Sequence, residues 1–108
     1  MKDYNEMTAF EVNKAVALLE GYRILDMPAD EENPCVAVTK VYGYTSVDYC
    51  NNDADIMPIA WANGISVSDE GGGTWAAYHT YKSYSVHEHT NPRRAIAICY
   101  LMMQGGEV

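Results

Sequence analysis

The sequence predicts a single α+β domain over residues 1–108, in which a small, mainly antiparallel sheet packs against two longer helices and one short helix. Three observations predict this class: a capped helical segment near the start, an apolar run from Ala95 to Met103 near the end, and stretches rich in Val, Thr and Tyr between them. The predicted order is α-β-β-α-β-β-α. A chain of 108 residues is long enough to bury one core without disulfides or a structural metal.

The first helix is predicted from its two ends. Thr8 and Glu11 have the spacing of a capping box, apolar residues recur from Phe10 to Leu19 at roughly helical spacing, and Gly21 is placed to end the helix in a left-handed cap. A short extended segment over Tyr22–Met27 and an acidic loop over Pro28–Pro34 are expected to follow.

The middle of the chain predicts a strand, a turn and a short helix. Cys35–Tyr44 has the composition of a strand, with Gly43 as a bulge or turn. The turn-rich segment Asp48–Asp55 leads into a helix over about Ile56–Ala62. Asp55 is its expected N-cap, which would put Pro58 in the first turn, and Asn63-Gly64 closes it.

The second half predicts a hairpin and a final helix. Ile65–Ser68 and Trp75–Val86 are expected strands, paired across the flexible turn Asp69–Gly73. The final helix is expected from Pro92 to about Gln104, with Asn91 as its N-cap. Because its run from Ala95 to Met103 is apolar all round, this helix is predicted to be either central to the fold or shared between subunits, and a homo-oligomer is the hypothesis.

Charge and composition exclude several classes of function. Fifteen acidic and seven basic residues give a net charge of -8, and the pI is about 4.6. Phosphate backbones would repel such a chain, so no direct nucleic-acid binding is predicted. No apolar run approaches the length of a membrane span, and the N-terminus lacks the apolar core of a signal peptide, so a cytoplasmic protein is expected. The three widely spread cysteines fit reduced thiols.

Several motifs resemble one known family. They are Cys50-Asn51-Asn52-x-Ala54-Asp55-x-x-Pro58-Ile59, Asn91-Pro92-x-Arg94-Ala95 with Leu101-Met102-Met103-Gln104 after it, and the opening Met7-x-x-Phe10-Glu11-Val12-Asn13-Lys14-x-Val16-Ala17. Together they resemble the NinX-like family of small tailed-phage proteins. Two positions depart from it: Asp53 stands where the family usually has proline, and Met57 where it usually has tryptophan. The resemblance implies an accessory role in the host cytoplasm and supplies no catalytic residues.

The candidate ligand-binding residues begin with two arginines in the first turn of the last helix. Arg93 and Arg94 oppose the helix dipole, so an anion is expected near them. It is either a phosphate or carboxylate ligand or the chain's own acidic residues. Asn91, at the same helix start, is a further candidate ligand-binding residue. Asn51, Asn52 and Asp55 could bond a ribose or base edge, although capping the short helix is the commoner use of such residues.

Aromatic and imidazole side chains complete the candidate site. Trp61, Trp75 and His79 could face a ligand and stack on a base, whereas the alternative is a sheet face that covers the core. His87-Glu88-His89 lacks an evident third metal ligand, so no metal and no cofactor are predicted.

The predicted function is a non-enzymatic phage accessory protein that binds a small anionic ligand. The ligand that fits these residues best is a host defence signal derived from a nucleotide, which the protein would sequester. The arginines would bind its phosphate, and the aromatic side chains would stack on its base. The alternative is an acidic protein that inhibits a host enzyme, in the manner of a nucleic-acid mimic. A third interpretation is a weak hydrolase using His79 with a carboxylate, but no nucleophile elbow, Walker loop or dinucleotide fingerprint is present.

Overall fold

The computed structural model describes residues 6–25, 34–40, 43–79, 85–89 and 91–105. It contains α1 (Ala9–Leu19), β1 (Val36–Lys40), β2 (Gly43–Val47), α2 (Asp53–Asn63), β3 (Ile65–Gly71), β4 (Thr74–His79), β5 (Ser85–His89) and α3 (Pro92–Gly105). Three helices and antiparallel strands confirm the predicted α+β class. The predicted acidic loop lies, except for Pro34, outside the described residues.

The ends of α1 are those that the sequence predicts. Thr8 Oγ1 accepts a hydrogen bond from Glu11 N at 3.1 Å, and Thr8 N donates to Glu11 Oε1 at 2.9 Å, which completes the capping box. Gly21 has a φ of 85°, which a residue with a Cβ rarely adopts. The buried residues of α1 are Val12, Asn13, Val16 and Ala17.

The first sheet is a hairpin of β1 and β2, paired from Val36 opposite Val47 to Lys40 opposite Gly43. The prediction of one strand from Cys35 to Tyr44 is therefore wrong, and the chain reverses before Gly43. Residues 23–25 lie along the other side of β1, with Ile24 paired to Val38, so the described part of the predicted extended segment is extended.

The second sheet has the order β3-β4-β5, with both pairs antiparallel. The predicted hairpin across the three glycines is confirmed, and Gly71, Gly72 and Gly73 all have positive φ. The expected strand from Trp75 to Val86 is instead two strands, β4 and β5, which pair with each other. The alternation of apolar and polar residues is weak over this stretch, so it did not mark the break.

Helix α3 lies at the centre of the fold. It contacts α1, α2 and all three strands of the second sheet. Every residue from Ala95 to Leu101 is buried by this single chain, so the apolar run is accounted for by burial within one subunit. Among the described residues, none of the helices is long and apolar enough to cross a bilayer.

Candidate functional site

A fully buried asparagine ties α1 to the segments that precede β1 and α2. Asn13 is completely buried. Its Nδ2 donates to Asp48 Oδ1 at 2.8 Å and to the Pro34 carbonyl at 3.0 Å, while its Oδ1 accepts from Cys50 N at 3.0 Å. Because both ends of the amide are bonded, its burial carries no unsatisfied polar group.

The turn before α2 is held by Asp48. Its two carboxylate oxygens accept from Asn51 Nδ2, each at 3.2 Å, and its carbonyl accepts from the N–H groups of Asn51 and Asn52. The Asp48 N–H donates to Asp55 Oδ2 at 2.9 Å. Asn51 and Asp55 thus make hydrogen bonds within the chain that shape this turn. This structural use is the alternative to ligand binding that the sequence leaves open for such residues.

Helix α2 begins earlier than expected because Asn52, and not Asp55, is its N-cap. Asn52 Oδ1 accepts from Ala54 N at 2.9 Å, and the helix starts at Asp53. The prediction of Asp55 as the cap is wrong, since its carboxylate is bonded to Asp48 N. Pro58 consequently lies inside the helix, where it removes a bond to the carbonyl of exposed Ala54, a group that water can reach.

The N-terminal ends of all three helices meet at one corner of the molecule. Arg93 in α3 donates from Nε to Asp53 Oδ1 in α2 at 2.5 Å. Arg94 donates from Nη2 to the carbonyl of Met7, which precedes α1, at 2.6 Å. We call the group of Met7, Asn52, Asp53, Asn91, Arg93 and Arg94 the helix-start corner. Helix starts carry partial positive charge, so this corner gathers three of them beside two arginines.

The two arginines differ in how they are held. The Arg93–Asp53 ion pair is partly exposed, with 36% of the Arg93 side chain and 67% of the Asp53 side chain accessible. Exposed pairs of this kind contribute only about 0–1 kcal/mol to stability. Arg94 is half-buried, and its backbone N–H donates to Asn91 Oδ1 at 3.1 Å, which confirms Asn91 as the N-cap of α3.

Two of the predicted ligand residues lie at the opposite end of α2 and α3. Gln104 Nε2 donates to Asn63 Oδ1, so the C-terminal ends of these two helices are neighbours and the helices run in the same direction. His79 lies here too, because a methyl group at Gly64 would be 3.4 Å from its Nε2. The helix rises roughly 16 Å between Arg93 and Gln104. Trp61, two residues before Asn63, and His79 are thus not gathered with the arginines.

Trp75 lies on β4, the central strand of the second sheet. Its register partner on β5 is Glu88, four residues before α3 begins, and its partner on β3 is Asp69. It is half-buried and shares a sheet face with Ala77, which is fully buried in the core. Trp75 is thus neither fully exposed nor one of the residues that form the buried core.

Sequence reasoning missed the Asn13 and Asp48 network and the Tyr100–Glu20 hydrogen bond. Asn13 could have been noticed, because a polar residue lies on the apolar face of α1 beside Val12, Val16 and Ala17. The bond from Tyr100 to Glu20 has no local signal, since the two residues are 80 positions apart.

Burial dominates the pKa values of the described tyrosines and cysteines that depart from their ordinary range. It raises the pKa of Cys99 to about 11, and it raises the pKa of Cys35 together with the charges of Asp48 and Asp55. It also raises the pKa of Tyr49 well above its usual range. The three cysteines form no disulfide with one another in this structure.

Alkaline pH is expected to weaken the fold through Tyr100. Burial, with the hydrogen bond to Glu20, raises its pKa from 10.0 to about 12. Between these values the folded chain keeps a proton that the unfolded chain has lost, so the free energy of unfolding falls as pH rises from 10 to about 12. Urea unfolding across this range should give a shallower decline for Tyr100→Phe than for the unaltered protein. An equally steep decline would contradict the assignment.

The described residues contain no group of three or more His, Cys, Asp or Glu side chains placed to hold a metal ion. The side chains of His87, Glu88 and His89 lie outside the described part of the chain, so the structure does not test that motif.

These features define a small α+β protein in which the predicted polar residues serve helix starts and turns. The chain belongs to the family described as Bacteriophage P22, NinX, whose model matches residues 3–104. This match confirms the predicted family. No curated protein sequence matches the chain.

Proposed function

We propose that this phage protein is a non-enzymatic accessory protein that binds a small phosphate-bearing ligand, derived from a nucleotide, at the helix-start corner. By binding this ligand, the protein would lower the free concentration of a host defence signal. The convergence of three helix N-termini on Arg93 and Arg94 is the observation that carries the proposal.

Helix starts and guanidinium groups favour the same kind of ligand. Unpaired N–H groups and the helix dipole attract anions at a helix start, and arginine adds a planar fork that matches phosphate geometry. Asn91 and Asn52 cap two of the helices, so their side chains keep these starts in place.

The ion pair between Arg93 and Asp53 is compatible with ligand binding. Since an exposed pair contributes about 0–1 kcal/mol, a bidentate phosphate can displace the carboxylate at small cost. In this proposal Asp53 occupies Arg93 until the ligand arrives.

The positions of the aromatic residues indicate which of them could contact the ligand. Trp75 is at the end of the sheet that leads into α3, so it is the candidate for stacking on a base. Trp61 and His79 are near the far ends of α2 and α3, away from the arginines.

A thermal-shift screen against inorganic phosphate, cyclic and linear nucleotides and ADP-ribose tests this proposal. A ligand at 100 times its dissociation constant should stabilise the fold by roughly 2.7 kcal/mol. Arg93→Ala should weaken binding about tenfold or more, because it removes a charge-assisted hydrogen bond. Its unliganded melting temperature should change little, since the ion pair is exposed.

Asp53→Asn is the matched variant at the other side of the same ion pair. It removes the competing charge and should therefore strengthen binding of the same nucleotide. The proposal fails if no compound shifts the melting temperature, or if Arg93→Ala and Asp53→Asn both leave the shift unchanged.

A further inference from the structure

Helix α2 has apolar residues on two opposite faces, and only one of these faces is buried in the core. Ile56, Ile59 and Ala60 are buried in the core. On the other side, the exposed residues Ala54, Pro58, Trp61 and Ala62 recur at i, i+4, i+7 and i+8. These positions form one stripe of a helix over about two turns. We call these four residues the α2 outer face.

Trp61 is the main feature of the α2 outer face. Its exposed fraction is 73%, the largest among the exposed large hydrophobic residues of the described chain. An exposed tryptophan on an apolar stripe is unfavourable in water and is the residue type that most often dominates binding energy at protein interfaces. Its exposure therefore points to a partner that covers it.

The charge around α2 indicates what kind of partner fits. The 41 residues from Val41 to Tyr81 contain no lysine or arginine and five acidic residues, which are Asp48, Asp53, Asp55, Asp69 and Glu70. Asp53, at the start of α2, is exposed but paired with Arg93, so the other four carboxylates carry the unbalanced negative charge of this stretch. Two copies of this chain meeting through α2 would bring like charges together, so a second copy is a poor occupant.

We propose that the α2 outer face docks on a basic protein, with Trp61 entering an apolar groove whose rim carries lysine or arginine. This is the helix-in-groove mode of recognition, in which apolar anchors supply affinity and rim charges steer association. The inference goes beyond the binding of a small anion and does not depend on it.

Designed helical peptides test the proposed surface without a known partner. The probes are an amphipathic peptide of lysine and leucine, its counterpart of glutamate and leucine, and a lysine and serine peptide that has the charge without the apolar face. In a Trp75→Phe background, only Trp61 contributes tryptophan fluorescence. The lysine and leucine peptide should bind with a blue shift of that emission, and the other two should not.

Trp61→Ser and Tyr44→Ser form a matched pair, because Tyr44 is 72% exposed but lies on β2. Calorimetry measures peptide binding to both variants. Trp61→Ser should lower the affinity for the lysine and leucine peptide about tenfold or more, and Tyr44→Ser should leave that affinity unchanged.

Four results would overturn the proposal. The first two are that the lysine and leucine peptide does not bind, and that the glutamate and leucine peptide binds equally well. The third is an equal loss of peptide affinity in Trp61→Ser and Tyr44→Ser. The fourth is a dimer that light scattering detects and that Trp61→Ser dissociates. The last result would make a second copy the occupant. Both side chains are exposed, so both variants should keep the melting temperature of the unaltered protein.

Discussion

Replacing Asn13 with alanine is expected to lower the free energy of unfolding by roughly 3 kcal/mol or more. The side chain is completely buried and makes three hydrogen bonds. Its loss leaves the Cys50 N–H and the Pro34 carbonyl without this partner inside the protein, and each such group costs about 1–3 kcal/mol. Urea unfolding followed by circular dichroism measures the change.

Two further variants separate hydrogen bonding from packing. Asn13→Asp keeps the shape but loses the Nδ2 donor and places a second carboxylate beside Asp48, so it should destabilise at least as much as alanine. Asn51→Ala removes a donor to the same Asp48 carboxylate at an exposed site and should cost less than about 1 kcal/mol. Equal losses for Asn13→Ala and Asn51→Ala would mean that Asn13 is not the residue that holds the turn.

The parts of the fold that the sequence predicts correctly are those with local causes. The capping box at Thr8 and Glu11, the left-handed Gly21 and the Asn91 cap each act within a few residues. The ends of α1 and the start of α3 could therefore be predicted closely.

The parts of the fold that differ from the prediction are those where two local sequence signals are equally good. Asn52 and Asp55 are both good N-cap residues, and the choice between them follows from the bond of Asp55 to Asp48 N. Likewise, Gly43 is predicted as either a bulge or a turn in the stretch from Cys35 to Tyr44, and composition does not decide between a bulged single strand and the hairpin that forms.

The candidate site could be predicted only in part. A doubly arginine-rich helix start implies an anion, and Arg93 does contact one. Nothing local selects Asp53 among fifteen acidic residues, because the two side chains are 40 positions apart. For the same reason, the sequence could not show that Trp61 and His79 lie away from the arginines.

Replacing Ile96 with alanine is expected to cost about 2–5 kcal/mol of unfolding free energy. Ile96 is almost completely buried in α3, which contacts α1, α2 and the second sheet, so the neighbours on every side limit how far a cavity can collapse. Ile96→Val removes a single methyl group and should cost about 0.5–1.5 kcal/mol. Urea unfolding of both variants measures the two losses of unfolding free energy. If Ile96→Ala loses no more than Ile96→Val, this part of α3 is not tightly packed.

The same unfolding curves, measured at several protein concentrations, decide whether α3 is central to one chain or shared between two. If the apolar residues from Ala95 to Leu101 are buried within a single subunit, the urea midpoint should not change with protein concentration. If α3 instead forms a subunit contact, dilution lowers the midpoint, and Ile96→Ala strengthens that dependence. Because this chain alone buries α3, we expect the midpoint to be independent of concentration, so an oligomer would need a different surface.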